Sequence, residues 1–323
     1  MAPLAPKRRW FQFSLRTLLV FVTLCAVLCS WIAAQKRQVK RQREAAATFT
    51  KYHARVDWKE SSLPRWLQAM VGDDFLAHVD LLILGGPGVT DAALEPLKEL
   101  SQLRCLILAA PSVTDAGLEH LEGLRQLRYL SLSRTGMTDA GLEHLKGLRQ
   151  IETLGLGHNI TDRGLKQIQG LSQLRVLHLA NSRLTDAGLR DLTEFHRLTT
   201  LVLDDTPITG AGLGHLKGLA QLRVLSLSRT QITDSGLEHI KELLQVKFLD
   251  LNGTRVTDFG LEHLGALRHL EELSLFRTQV GDAGLAHLKG LSELRYVNVE
   301  ATRVTDEGVK NLTKALPKCC IHR

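Results

Sequence analysis

Six of the thirteen histidines return at one interval: His120, His144, His215, His239, His263 and His287 lie 24 residues apart, or 71 across one gap. A row of imidazoles at regular spacing is the raw material of a metal site or a pH sensor. No carboxylate or cysteine shares the column to complete a coordination shell, however, and each histidine stands one place before an aliphatic core position. They read as half-exposed filler. Gly210-Ala211-Gly212-Leu213-Gly214 imitates a glycine-rich nucleotide loop, yet it occupies the place of a T-D-A-G-L-E segment that recurs elsewhere with two substitutions. The motifs G-x-S-x-G, Walker A, H-E-x-x-H and C-x-x-C do not occur. The expectation is a chain without catalytic residues, cofactor or metal.

The histidines return because the chain does. From Val79 onward a 24-residue unit, L-x-x-L-x-L-x-x-T-x-(V/I)-T-D-A-G-L-E-H-L-K-G-L-x-x, opens at Val79, Leu103, Leu127, Ile151, Leu174, Leu198, Leu222, Val246, Leu270 and Leu294, with only the fourth step shortened to 23. Inside a unit the apolar residues keep a period of two, as in Leu130 and Leu132, then a spacing of three, as in Leu142, Leu145 and Leu148. One unit is therefore a short strand and a short helix. Neither buries its apolar edge alone, so the units must stack into one core. The predicted fold is an α/β solenoid, with a curved parallel sheet on the concave side and short helices on the convex side.

The turn between strand and helix offers Thr138-Asp139, Thr233-Asp234 and Thr257-Asp258 as oxygens for the first helical N–H groups. Nine places into the unit stand Thr135, Thr206, Thr230, Thr254, Thr278 and Thr302, with Asn159 in the short fourth unit; this column is expected to form a buried hydrogen-bonding ladder. Gly117, Gly141, Gly188 and Gly236 are expected to permit close approach of neighbouring helices. Strand positions between the core leucines vary most and face the concave side. Early units place small or apolar residues there, such as Cys105, Ile107 and Ala109. Tyr129, Asp204, Asp205, Phe248, Asp250, Glu272, Phe276, Tyr296 and Glu300 are the candidate partner-binding residues, because aromatic anchors edged by charge are what protein-binding surfaces present. A solvated face with incidental aromatics is the alternative.

The strand L-x-x-L-x-L-x-x-(N/T) followed by (V/I)-T-D-x-G-L-x-x-L resembles the leucine-rich repeat family, closest to its short bacterial units and to the cysteine-containing subtype of F-box proteins. Thr stands here where the family has Asn or Cys. The resemblance spans about three quarters of the chain. It implies the solenoid architecture, and a family that includes receptors, inhibitors, adaptors and effectors. The function expected is non-catalytic, membrane-anchored binding of a protein or an envelope polymer. A self-associating structural component of the envelope, or an adaptor or effector of the F-box-associated type, is the alternative.

The chain before the repeats reads differently. Leu18 to Ala34 are 17 residues without a charge, which at about 1.5 Å per residue approaches the roughly 30 Å bilayer core. Trp10, Phe11 and Trp31 stand as interfacial anchors, and Arg16 and Lys36 are placed to snorkel. A cleaved signal peptide is the competing reading, weakened by the run Lys36, Arg37, Lys40, Arg41 and Arg43 directly after it. The expected order is a tail and transmembrane helix (1–35), a basic juxtamembrane stalk or linker (36–60), a cap helix (61–78) that begins at Pro64 with Trp66 and Met70 on one face, ten repeats (79–316), and a half-repeat cap (317–323). The opening Trp10 to Leu19 resembles the anchors of bacterial envelope proteins. A short charged tail is costly to translocate, so a single-pass protein of the bacterial inner membrane with extracytoplasmic repeats is expected. Residues 1–60 hold 12 basic and 3 acidic residues, and residues 61–323 hold 29 and 31. The net charge of +7 is thus assigned to membrane flanks beside anionic lipid, and the repeats are expected to lack a basic face and to bind no nucleic acid. Five cysteines, two of them in the span, make no disulfide framework.

Overall fold

The computed structural model describes residues 15–59, 71–72 and 75–323. The strands form one twelve-stranded sheet in chain order. From β2 (His78–Gly85) to Cys320–His322 the neighbours pair in parallel and in register, so that Leu82, Leu106, Leu130 and Leu154 lie side by side. Cys320–His322 is the truncated eleventh repeat strand. Leucines of strand and convex turn merge into one continuous core.

The convex turns are tighter than α-helices in several units. Ala116–Leu121, Asp139–Leu145 and Gly188–Glu194 are 3-10 turns, whereas Asp162–Ile168 and Asp306–Ala315 are α-helical. The spacing of three in Leu118, Leu121 and Leu124 is the 3-10 period itself. Its larger rise also lets a few residues cross the back of a unit.

The expected ladder is corrected by the hydrogen bonds. Thr135 Oγ1 donates to the Leu132 carbonyl of its own unit at 2.8 Å, and Thr206, Thr230, Thr254, Thr278 and Thr302 each bond the carbonyl three residues back at 2.6–2.7 Å. A hydroxyl that finds a carbonyl in its own turn has no need of the next unit. Only Asn159 reaches across, donating to the Gly136 carbonyl at 3.4 Å.

The joints are held by the aspartate of T-D instead. Asp115 accepts the Thr138 N–H and the Thr138 hydroxyl of the following unit, each at 2.7 Å. Asp91, Asp139, Asp162, Asp186, Asp234 and Asp282 repeat that clamp on Thr114, Thr161, Thr185, Thr209, Thr257 and Thr305. A charged acceptor on two donors makes each clamp strong. The glycine column makes room for it: a Cβ on Gly188 would lie 2.4 Å from Asp162 Oδ1. Asp258 meets Gly281 in place of a threonine and accepts the N–H groups of Gly281 at 2.6 Å and Gly284 at 2.9 Å. One further joint has no such carboxylate. Gly210 replaces the aspartate, and a Cβ there would lie 2.5 Å from the Gly236 Cα, so backbone packs on backbone.

Before the repeats, a single helix, α1 (Leu15–Phe49), runs from the apolar stretch into the basic segment. Ile32, Gln35, Val39, Gln42, Ala46 and Phe49 are its inward-facing residues, alternating by three and four, and the last three are buried. Gln42 Oε1 accepts the Val79 N–H at 3.3 Å. Arg55–Lys59 (β1) then runs back antiparallel to β2, with Arg55 opposite Ile83 and Lys59 opposite His78. An uncovered first repeat would expose a sheet edge and its leucines, and α1 with β1 covers both. Phe75 is buried and meets the Trp31 ring edge-on at 5.4 Å between centroids. The expected cap residues Pro64, Trp66 and Met70, and the anchors Trp10 and Phe11, lie outside the described residues.

Candidate partner-binding face

Side chains alternate along each strand, so Leu201, Leu225, Leu249 and Leu273 enter the core while their neighbours face the concave surface. Phe248, Glu272 and Tyr296 are in register on three adjacent strands. With strands about 4.8 Å apart, two rings flank one carboxylate across about 10 Å. Tyr296 and Glu272 are exposed, Phe248 is half-buried, and Glu272 has no partner among the described residues. Phe276, four residues beyond Glu272, carries the Arg277 guanidinium 4.9 Å over its ring. Glu300, four residues beyond Tyr296, lies 3.7 Å from the His322 ring. Tyr129 lies apart, five strands before Phe248, at about 24 Å by the same spacing.

The aspartates have separate fates. Asp204 turns along the sheet, where Oδ1 accepts the Ser226 hydroxyl at 2.5 Å and the Ser228 N–H at 3.0 Å. Asp205, next in sequence, takes both arms of the Arg229 guanidinium. That hydrogen bond holds the Asp205 carboxyl below the usual aspartate range and raises the arginine correspondingly. Asp250 accepts the Asn252 N–H at 2.8 Å, and burial pushes its carboxyl up, reinforced by the charge of Asp204. Asp250 is therefore protonated more easily than Asp205.

Three participants were not singled out by the sequence. Asn252 repeats the role of Asp204, accepting the Ser274 hydroxyl and the Phe276 N–H, both at 2.7 Å. The signal is an Asp or Asn followed 22 residues later by Ser, at both places. Ser226 is buried beneath the acidic group. His178, half-buried on the same face, has its imidazole pushed down by burial, against a smaller upward pull from Asp204.

On the convex side two of the column histidines bond neighbouring units, with His144 Nδ1 2.7 Å from Glu122 Oε1 and Arg190 Nε donating to His215 Nε2 at 3.3 Å. Among the described residues no group of three His, Cys, Asp or Glu is placed to hold a metal ion. Gly210–Leu213 is the opening turn of the sixth convex segment. Cys319 is buried at the last turn, and burial pushes its thiol up to about 11.

The class of protein is a solenoid of stacked strand-and-turn units with a concave sheet. A model described as a leucine-rich repeat region matches residues 87–228, and a second leucine-rich repeat model matches 221–241 and 266–288. The chain belongs to the leucine-rich repeat family. No curated protein matches the sequence. Among solved structures it is similar to an internalin of Listeria monocytogenes, inlF, at 20% identity over 75% of this chain and 86% of that one, with a TM-score of 0.46. A leucine-rich repeat protein of Leptospira interrogans is similar at 19% identity over 71% and 68%, with a TM-score of 0.46. A plant peptide hormone receptor in complex with RGF2 is similar at 16% identity over 74% of this chain and 37% of the receptor chain, with a TM-score of 0.46.

Proposed function

We propose that the chain is a non-catalytic, membrane-anchored recognition module that binds a protein or an envelope polymer on the concave face of its last units. The observation that carries this reading is the row Phe248, Glu272 and Tyr296, in register on adjacent strands. Rigid rings around a carboxylate left without an internal partner are suited to a hot spot, since aromatic anchors dominate binding energy when water is excluded around them. Asp204 and Asp205 act within the sheet and shape the surface. Tyr129 belongs to a different part of the face. Anchoring is supported by α1, in which every residue from Arg16 to Trp31 is exposed despite its apolar character. The repeats then stand on the extracytoplasmic side of a bacterial inner membrane.

Photo-crosslinking from the full-length chain in its own membrane tests this. A crosslinker at Phe248 is expected to capture a partner that one at the convex, exposed Phe259 does not, and Glu272→Lys with Tyr296→Ala is expected to abolish the capture. Equal capture at both positions would overturn the concave assignment. A reporter active only outside the cytoplasm, fused after Arg323, tests the side of the membrane.

A further inference from the structure

The charge of the repeats is segregated by the fold. Each strand begins at a leading rim, made of the two residues before and the one after the opening aliphatic residue of a unit. Over units two to ten these positions carry ten arginines and lysines against three glutamates, a net of +7. The trailing rim, from the third concave position to the clamp position of the same units, carries six arginines against eleven acidic residues, a net of −5. The expectation that the repeats have no basic face is therefore corrected: near-neutrality of the total conceals two rims of opposite sign. Because the strands pair in register, Arg128, Arg175, Arg223, Lys247 and Arg295 fall into one row. Arg125, Arg149, Arg175 and Arg223 are exposed and have no partner among the described residues.

The anchor helix leaves by that same rim. Its C-terminal end, Phe49, leads through Ala54 to Arg55, opposite Ile83 near the end of β2, whereas Gln42 meets Val79 near the start and Trp31 meets Phe75 before it. The helix thus runs parallel to β2, and its exposed apolar half projects beyond the leading rim. Gln38 Nε2 donates to Ser101 Oγ at 3.4 Å on that rim, and Arg41 lies 4.0 Å from Glu99. From Ala34, the end of the apolar stretch, to Gln38 the helix rises about 6 Å. A headgroup layer is about 5–7 Å deep on each side of the hydrocarbon.

We infer that the leading rim lies on the headgroups of the bilayer that holds α1, and that its ligand is anionic phospholipid. The inference rests on the anchoring proposed above. With α1 packed against the first unit rather than joined to it by a loose stalk, the solenoid stands with its strands along the membrane normal. The cationic row faces the lipid, the acidic rim points away, and the concave face opens sideways along the surface. Cations at such a distance attract a negatively charged leaflet, and the attraction is screened by salt.

The test is hydrogen–deuterium exchange on the full-length chain in nanodiscs of phosphatidylcholine, with or without one third phosphatidylglycerol. Amides of 123–128, 147–152 and 219–223 are expected to exchange several-fold more slowly in the anionic discs, and trailing-rim amides of 133–138 and 157–161 equally in both. Replacing Arg125, Arg149, Arg175 and Arg223 together by Gln is expected to remove the slowing with an unchanged melting temperature. Equal exchange in both lipids, in a chain that still floats with the discs, overturns the rim assignment alone. A chain that does not float with the discs overturns the anchor and the rim together. Slowing of the same amides by added single-stranded RNA, with none from phosphatidylglycerol, would show a polyanion site of another kind and also overturn it.

Discussion

The second to fourth repeats close their strands differently from the last six, and from the first, where Gly86 also has a positive φ. At the eighth position Asn181, Asp205, Arg229, Gly253, Arg277 and Ala301 all adopt positive φ of 55–63°, whereas Ala110, Arg134 and His158 at the same position do not. In the later units this turn aims one more N–H at the next unit, as Asp205 N–H donates to the Ser228 carbonyl at 2.9 Å and Arg229 N–H to the Asn252 carbonyl at 2.7 Å. The left-handed region costs a non-glycine residue about 1–2 kcal/mol. That strain is accepted in the region that displays the aromatic and acidic side chains. The lesson is that one repeat motif supports two finishes, and the finish with the extra inter-unit bond underlies the candidate binding face.

The largest expected effect tests whether the clamp or the turn carries the joints. Asp139→Ala in the early units and Asp234→Ala in the later ones each lose bonds from two donors to a charged acceptor, and each is expected to lower unfolding stability by about 2–3 kcal/mol in urea titration. A much smaller loss for Asp234→Ala would mean that the left-handed turn alone holds the later joints. Gly210→Asp restores the repeat consensus in sequence but is expected to destabilise by about 1–2 kcal/mol, because its Cβ overlaps the backbone of Gly236. A gain in melting temperature would show that this joint can reopen to take a clamp.

Smaller effects sharpen the contrast by sign. Ala301→Gly is expected to stabilise by about 0.5–1 kcal/mol, relieving a left-handed alanine, while Ala110→Gly is expected to destabilise by about 1 kcal/mol. Thermal melts of the two variants check this, and a shared sign would erase the distinction between the regions. The smallest effect is a pH dependence. Asp250 has a folded pKa raised by burial, so its contribution to stability is full below the unfolded aspartate value and is lost as pH rises through the folded one. Asp205 behaves oppositely, its contribution being lost as pH falls through its depressed folded value. Asp250→Asn is accordingly expected to exceed the parent in stability at neutral pH and to match it at strongly acid pH.

Much of the fold was legible because each leucine column has one period and one place to go. The clamp was not, since Thr-Asp before a helical turn reads equally well as a local cap, and only the neighbouring unit shows where the carboxylate points. Asp204 and Asp205 make the same point at the candidate site. Adjacent in sequence and identical in chemistry, one is tied to Ser226 and Ser228 and the other to Arg229. The docking stripe of α1 was hidden for a similar reason: Gln35 and Gln42 stand on it, and a glutamine reads as solvent-facing until a buried backbone N–H such as that of Val79 is found opposite.

The sequence by itself determined the period, the strand register, the concave and convex columns and the count of charges in each, because aliphatic residues recurring every 24 positions have one economical way to leave water. Only the tertiary structure decided which polar groups are spent inside the solenoid and which remain for a partner. It alone decided also that the apolar half of α1 emerges beside the cationic rim. These outcomes depend on contacts between separate segments, Gln42 with Val79 and Trp31 with Phe75, whose pairing no local pattern encodes.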